Sequence, residues 1–169
     1  LPAPELARWE ALSPTHYRFT LGEEGRDFSD GNRLTSADVK ATFDSVRDPA
    51  TASPHRATLA IITSITTEGP DRLDFHLREP DPLFPAYLGM GILPAALIQS
   101  GHPFAVAPVG SGPLRFETWP QPGRLVLRRQ RDGQILELLA VKDPNVRVMK
   151  LLRGEIDLLQ NDLSPELIG

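Results

Sequence analysis

The chain has 169 residues, of which 40% are hydrophobic and 24% are charged. These are values of a folded globular protein, and they exclude a disordered tail. The 18 Lys and Arg residues against 22 Asp and Glu residues give a net charge of −4. No basic stripe offsets that charge, so we expect no nucleic-acid binding. No apolar run approaches the roughly 20 residues that span a bilayer. Because the sequence has no cysteine, it has no disulfide and no zinc–cysteine site.

A strand and a turn are the first elements that the sequence predicts. Tyr17, Phe19 and Leu21 alternate with polar residues, which is typical of a half-buried strand. Asp30 and Gly31 then predict a turn, since glycine tolerates the positive φ that other residues resist.

A well-delimited helix follows this turn. Thr35 is a candidate N-cap with Asp38 three residues later, a spacing close to that of a capping box. The helix should end before Asp48, because the next residue is Pro49. Its apolar face is formed by Val39, Phe43 and Val46.

The sequence of the middle of the chain predicts a hairpin followed by a short helix. One strand begins near Ile61, Ile62 and Ile65, and a second contains Leu73, Phe75 and Leu77. Residues 68–71 (EGPD) form the turn between them. A short helix is then predicted from Asp81 to about Leu88, although Pro85 lacks the N–H of a regular helical residue.

The second half of the chain predicts two strands, a helix and a further strand. Residues 125–127 form one strand, and the more continuous apolar run 135–141 predicts a strand covered on both faces. Asp143 caps a helix that starts at Pro144 and ends before Gly154. We expect this helix to bury Val146, Met149 and Leu152. Residues 156–158 predict another short strand, and residues 164–166 predict a helix start.

No set of residues has the spacing of a catalytic or metal site. The histidines at positions 16, 55, 76 and 102 lack metal-ligand spacing, so we expect no metal. Ser111 lies between two glycines, but a strand-like segment follows it, whereas a nucleophile elbow requires a helix there. The same glycines lack the third glycine of a dinucleotide fingerprint. The sequence therefore predicts no enzyme and no cofactor.

Four blocks together resemble the family 5 extracellular solute-binding proteins, the peptide, nickel and oligosaccharide receptors of ABC importers. The blocks are residues 4–10 (PELARWE), 28–39 (FSDGNRLTSADV), 108–116 (PVGSGPLRF) and 151–158 (LLRGEIDL). The second is the most specific and is similar to the family's F-x-D-G-x-P-L-T-A-x-D-V, with Arg33 in place of the usual proline. The blocks occur in family order and span nearly the whole chain. The aromatic Y-W-x-G stretch that usually follows the third block is missing.

This resemblance implies an α/β (mixed α+β) chain that is a fragment of a type II periplasmic-binding-protein-like fold. Residues 1–93 would form a small accessory α+β lobe without its N-terminal start. Residues 94–169 would form the first, truncated part of a ligand-binding α/β lobe. Family members are several times longer, so we expect half of the binding cleft to lie outside this chain.

The resemblance also suggests which residues approach ligand. The residue that follows the family's D-P-x-T-A-S-P loop points into the cleft, and here it is His55. The segment with Tyr87, Gly89 and Met90 also approaches ligand in the family. An exposed loop histidine is an equally good interpretation of His55. Core packing is the better one for Tyr87 and Met90.

The implied function is the capture of peptides or a similar small solute by two lobes that close over it. The implied partner is a membrane permease, and the implied location is periplasmic or extracytoplasmic, with a lipid anchor in the full-length protein as one option. We expect a monomer. The alternative is a ligand-sensing domain of a transcriptional regulator, which requires a helix-turn-helix upstream of Leu1.

Overall fold

The structure is a computed structural model that describes residues 6–160. Two antiparallel sheets and three α-helices alternate along this part of the chain, which confirms the predicted mixed α+β class. The strands are β1 (Ala7–Ser13), β2 (His16–Leu21), β3 (Ile62–Glu68), β4 (Arg72–Leu77), β5 (Leu114–Gln121), β6 (Arg124–Arg129) and β7 (Ile135–Leu139). The helices are α1 (Ser36–Arg47), α2 (Ala95–Gln99) and α3 (Pro144–Leu152). Short 3₁₀ turns occupy Pro49–Thr51, Thr58–Ile61 and Phe84–Leu88.

The first sheet has the strand order β1-β2-β4-β3 and carries the core on one face. The alternation predicted for β2 and β4 is confirmed, because their apolar residues are buried in register, with Phe19 opposite Leu73 and Tyr17 opposite Phe75. Helix α1 covers this face, and the rings of Phe43 and Phe75 meet edge to face with centroids 5.4 Å apart. Edge-to-face aromatic pairs add to the stabilisation from burial alone.

Helix α1 has the start and stop that the sequence predicts. The Asp38 carboxylate accepts a hydrogen bond at 2.8 Å from the Thr35 backbone N–H, and the two residues form a capping box. The helix ends at Arg47, immediately before Asp48 and Pro49. The other carboxylate oxygen of Asp38 accepts a hydrogen bond from the Ala95 N–H at 2.8 Å. One carboxylate therefore fixes both the start of α1 and the start of α2.

Arg26 is a buried arginine that the sequence pattern does not reveal. Its side chain is 2% exposed, and its guanidinium lies 2.7 Å from the Asp71 carboxylate. The same guanidinium donates to the carbonyls of Leu34 at 2.9 Å, Gly22 at 3.3 Å and Pro70 at 3.5 Å. Since a buried charge is tolerated only when paired and hydrogen-bonded, these contacts account for its burial.

The outer face of the first sheet carries a polar network around Asp74. Arg18 donates two hydrogen bonds to this carboxylate, at 2.8 and 2.9 Å. The Nε2 atom of His16 lies 3.5 Å from it, and the His16 ring stacks on His76 with centroids 4.2 Å apart. The hydrogen bond from Arg18 lowers the pKa of Asp74, and the charges of Arg18 and His16 lower it further.

The second sheet has the order β5-β6-β7 and no core of its own within the described residues. From residue 95 to residue 160 no residue is fully buried. The prediction that residues 135–141 are covered on both faces is wrong, because β7 is mostly exposed. The predicted burial of the α3 stripe is also wrong, since Val146, Met149 and Leu152 are 44%, 46% and 75% exposed. No described residue packs over these apolar faces tightly enough to bury them.

Two predicted elements take a different form. The segment that begins at Asp81 is a 3₁₀ turn over Phe84–Leu88, not an α-helix, because Pro85 cannot donate a helical hydrogen bond. The Asp81 carboxylate still accepts a hydrogen bond from the Leu83 N–H, at 2.9 Å. Residues 156–158 do not form a strand, and no described strand pairs with them. The helix start predicted at 164–166 lies outside the described residues.

Arg26→Met should lower the free energy of unfolding by about 2–4 kcal/mol, because it leaves the buried Leu34 carbonyl, two partly buried carbonyls and Asp71 without their donor. The measurement is urea unfolding followed by circular dichroism. Arg33→Met is the matched control in the same loop, since Arg33 and its partner Glu23 are 51% and 84% exposed. The control should cost less than about 1 kcal/mol. Equal losses in the two variants would contradict the role of Arg26.

Asp74→Asn should flatten the dependence of stability on pH in acid. A carboxyl whose pKa is lowered by folding stabilises the native state above its unfolded pKa and loses that contribution as the pH falls through the folded value. The wild-type chain should therefore lose stability more steeply than the variant below about pH 5. The measurement is thermal unfolding over a series of pH values. Asp157→Asn is the control, because it removes an exposed carboxylate without a described partner. This variant should show the same slope of stability against pH as the wild type. Equal slopes for the wild type and Asp74→Asn would contradict the prediction.

Candidate functional site

An open groove of about 340 Å³ lies on the core side of the first sheet. One wall comes from β1, β2 and β4, a second from α1, and a third from the chain between residues 85 and 92. The lining is largely apolar and consists of Leu6, Ala7, Trp9, Phe19, Leu21, Val39, Phe43, Leu73, Phe75, Pro85, Leu88, Gly89, Met90 and Ile92. A groove of this composition suits apolar groups better than charges.

Two of the predicted site residues, Gly89 and Met90, line this groove. The Met90 N–H donates to the Leu88 carbonyl at 2.8 Å, which keeps the segment tightly turned as it leaves the 3₁₀ turn. Met90 is half-buried and packs against the core, so the core-packing interpretation applies to part of its side chain. A Cβ placed on Gly89 would meet only the Ala86 carbonyl, at 3.9 Å. A larger side chain there would therefore narrow the groove without disturbing the backbone.

Tyr87 lies in the same segment but does not line the groove. Its side chain is half-buried against the core cluster, as the core-packing interpretation predicts. Burial raises the pKa of its hydroxyl, and the negative charge and hydrogen-bonding of Asp81 raise it further. The hydroxyl is therefore protonated at neutral pH, and its one O–H serves the hydrogen bond to Asp81.

His55 is separate from the groove. It is exposed, its N–H donates to the Ser53 hydroxyl at 3.3 Å, and its carbonyl accepts a hydrogen bond from the Leu59 N–H at 3.2 Å. The structure thus brings Gly89 and Met90 together and leaves His55 on the loop before the 3₁₀ turn Thr58–Ile61. That His55 contacts ligand remains a prediction.

Trp9 is a groove residue that the sequence argument does not single out. It lies on β1 and is 53% exposed, and its ring meets that of Tyr17 with centroids 5.9 Å apart. The available signal is its place in the first family block, at residues 4–10, next to Leu6 and Ala7. A large exposed aromatic ring that lines an apolar groove offers a contact surface to a ligand.

Within residues 6–160 no three His, Cys, Asp or Glu side chains are grouped as a metal site requires. Within the same residues Ser111 makes no hydrogen bond to a histidine, the partner that activates a serine nucleophile. None of the helices in the described region is long and apolar enough to cross a bilayer. What the geometry can do is bind an apolar group in the groove.

Comparisons with known proteins identify a family and several relatives of this chain. The model of the bacterial extracellular solute-binding proteins, family 5, matches residues 2–168. A putative ABC transporter peptide-binding protein of Brucella ovis is 28% identical over 182 aligned residues, which cover 95% of this chain and 34% of that protein. The HTH-type transcriptional regulator SgrR of Shigella dysenteriae is 35% identical over 109 residues, which cover 62% of this chain and 18% of the regulator.

Solved structures of binding proteins superpose on most of this chain. The binding protein AgaA from A. tumefaciens R10, in complex with agropinic acid, superposes with a TM-score of 0.82 at 28% identity and covers 91% of this chain. The oligopeptide-binding protein AppA from Bacillus subtilis, in complex with a nonapeptide, superposes with a TM-score of 0.80 at 23% identity and shares the fold. This chain spans about a third (34%) of each of these proteins. The match to the family model over nearly the whole sequence shows that the chain belongs to the bacterial extracellular solute-binding proteins of family 5.

Proposed function

We propose that this chain is part of the substrate-binding component of an ABC importer, which captures peptides or a similar small solute and delivers it to a membrane permease. The family match over residues 2–168 is the observation that carries the proposal. The Brucella relative, described as a peptide-binding protein of an ABC transporter, supports it. Such a role needs binding without bond-making, and the location that fits it is periplasmic or extracytoplasmic.

The proposed lobes are residues 1–93, a small accessory lobe, and residues 94–169, the first part of the ligand-binding lobe. The distribution of buried residues supports this division, since the core cluster runs from Tyr17 to Ile92 and no residue from 95 to 160 is buried. The segment around Leu93, which connects the two proposed lobes, is held to α1, because the Thr42 hydroxyl accepts a hydrogen bond from the Leu93 N–H at 2.9 Å. The Ala95 N–H is held by Asp38 as well, so the contacts between α1 and the connecting segment extend just past residue 93.

In this proposal the ligand meets His55, Tyr87, Gly89 and Met90. Gly89 and Met90 line the apolar groove, which supports a role for them in holding an apolar side chain of the ligand. The other wall of the cleft would come from polypeptide outside the sequence given, since the relatives are about three times longer. Closure of two lobes by hinge motion would then bury the ligand.

A ligand sensor of a transcriptional regulator is the second candidate. The relation to SgrR of Shigella dysenteriae favours it, but that relation covers only 62% of this chain. The two candidates share the binding event and differ in the domain attached to it. Sequence upstream of Leu1 discriminates between them, because a signal peptide or lipobox indicates transport and a helix-turn-helix indicates regulation.

The isolated 169 residues should bind oligopeptides very weakly, because a cleft with one wall cannot desolvate a ligand on both sides. A chimera that carries this chain in place of the matching third of the Brucella relative should bind them more tightly by at least about a hundredfold. Isothermal titration calorimetry with a mixture of tri- to pentapeptides compares the two. The unmodified Brucella protein is the control for peptide quality. Micromolar affinity of the isolated chain, or a folded chimera that binds no peptide, would count against the proposal.

The apolar stripe of α3 should be exposed to solvent in the isolated chain and buried in the chimera. Replacing Val146, Met149 and Leu152 together with Gln should lower the fluorescence of bound ANS in the isolated chain and leave its unfolding midpoint unchanged, because these side chains are exposed. In the chimera the same triple substitution should lower the midpoint, since the stripe would there be buried. Leu83→Gln, at a position 65% exposed in the first lobe, is the control and should change neither. Destabilisation of the isolated chain by the triple substitution would contradict this division.

A further inference from the structure

Strand β1 forms an open edge of the first sheet. It pairs with β2 on one side, and no strand of the described residues pairs with its other side. The Gly22 N–H donates to the Leu6 carbonyl at 2.9 Å. Because antiparallel partners alternate between hydrogen-bonded and non-hydrogen-bonded pairs, the even-numbered residues of β1 are the ones that bond to β2. The main-chain N–H and C=O groups of Ala7, Trp9 and Ala11 therefore point to the open edge.

This edge lacks the usual features that prevent strand addition. Proteins protect exposed edges with proline, lysine, bulges or a covering element. Strand β1 contains neither proline nor lysine, and its residues after Ala7 are exposed. Its register with β2 is regular from Ala7 to Ala11 and shifts only between Ala11 and Ser13. The five residues 7–11 therefore offer a regular, accessible template for another strand.

Two charged side chains stand on the outer face of this edge without an ion-pair partner. Trp9 lines the groove on the core side, so the alternation along the strand places Arg8 and Glu10 on the opposite face. Both are exposed, and neither forms an ion pair within residues 6–160. Arg18 lies across from Glu10 on β2, but its guanidinium is bound to Asp74 at 2.8 Å. The edge thus presents one unpaired cation and one unpaired anion two residues apart.

We propose that β1 pairs with β1 of a second copy of this chain, antiparallel, across a two-fold axis at Trp9. The inference departs from the expectation that the chain is a monomer. This pairing places Ala7 opposite Ala11 of the other copy, in hydrogen-bonded pairs that use the free main-chain groups. It places Arg8 of each copy opposite Glu10 of the other, in non-hydrogen-bonded pairs, where side chains are closest.

The charge pattern selects this register over its neighbours. A shift of two residues keeps the main-chain groups in bonding positions, but it would place Arg8 opposite Arg8, or Glu10 opposite Glu10, of the other copy. Like charges directly opposite each other destabilise a strand pair. The order Arg8, Trp9, Glu10 is therefore complementary to itself only about Trp9. The two Trp9 rings, each 53% exposed, would then meet on the groove side of the joined sheets.

The test is sedimentation equilibrium of the 169-residue chain. The wild type should dimerise reversibly with a dissociation constant on the order of 100 µM, since one short strand pair buries less area than a stable interface needs. Arg8→Glu and Glu10→Arg should each weaken dimerisation by about tenfold, because each variant places two pairs of like charges opposite one another. Glu24→Arg makes the same change in net charge as Glu10→Arg at an exposed residue outside β1. It is the matched control and should leave the dissociation constant unchanged.

Two further measurements test the register. The double variant Arg8→Glu with Glu10→Arg restores opposite charges and should dimerise like the wild type, and an equimolar mixture of the two single variants should form heterodimers. Amide hydrogen exchange reports on the main chain. At concentrations above the dissociation constant, exchange should slow at the N–H groups of Ala7, Trp9 and Ala11, which point to the open edge, and stay unchanged at Arg8 and Glu10, which bond to β2.

Three outcomes would overturn this inference. The first is a wild-type chain that stays monomeric up to about 1 mM, where a pair of this strength would be mostly dimeric. The second is association that none of the charge variants changes, which would assign it to the exposed apolar faces of α3 and the second sheet. The third is failure of both the double variant and the mixture to restore dimerisation. None of these outcomes bears on the capture of a solute, which the calorimetry of the chimera tests.

Discussion

The guanidinium of Arg26 connects parts of residues 6–93 that no secondary structure joins. It ties the loop at Gly22 and Leu34 to the hairpin turn at Pro70 and Asp71. Ser36 fastens the same turn to the start of α1, since its hydroxyl donates to the Gly69 carbonyl at 2.7 Å. Main-chain carbonyls withdrawn from water need donors, and here one side chain donates to three carbonyls, of which the hydrogen bond to Leu34 is buried and the other two are partly buried. Together these two contacts hold the loop before α1, and the first residue of α1, to the hairpin turn of the sheet.

The two parts of the chain differ in what their apolar residues contact. In the first sheet each apolar residue of β2 and β4 meets α1 or a neighbouring strand, so the sheet buries its face within the chain. In the second sheet and α3 the apolar residues are present at the expected spacing but remain exposed. Large exposed apolar faces indicate surfaces for further polypeptide. The relatives, of which this chain spans 34%, have that further polypeptide.

The same contrast explains how far the sequence predicts the structure. Strand β2 and helix α1 follow from local signals, the alternation at Tyr17–Leu21 and the capping box at Thr35, and both are confirmed. Local periodicity also identified the apolar stripe of α3, but it cannot show whether a partner covers that stripe. Arg26 lies in a Gly-rich loop, where burial depends on distant carbonyls that no local pattern reveals. At the candidate site, the family resemblance points to the segment with Gly89 and Met90, which lines the groove, whereas Trp9 reaches the groove only through the pairing of β1 with β2.

The groove contributes most to binding when the ligand in it is covered on both sides. Hydrophobic stabilisation grows with the apolar area removed from water, so an open groove yields only part of it. Closure of a second wall over the ligand would remove the remaining apolar area from water.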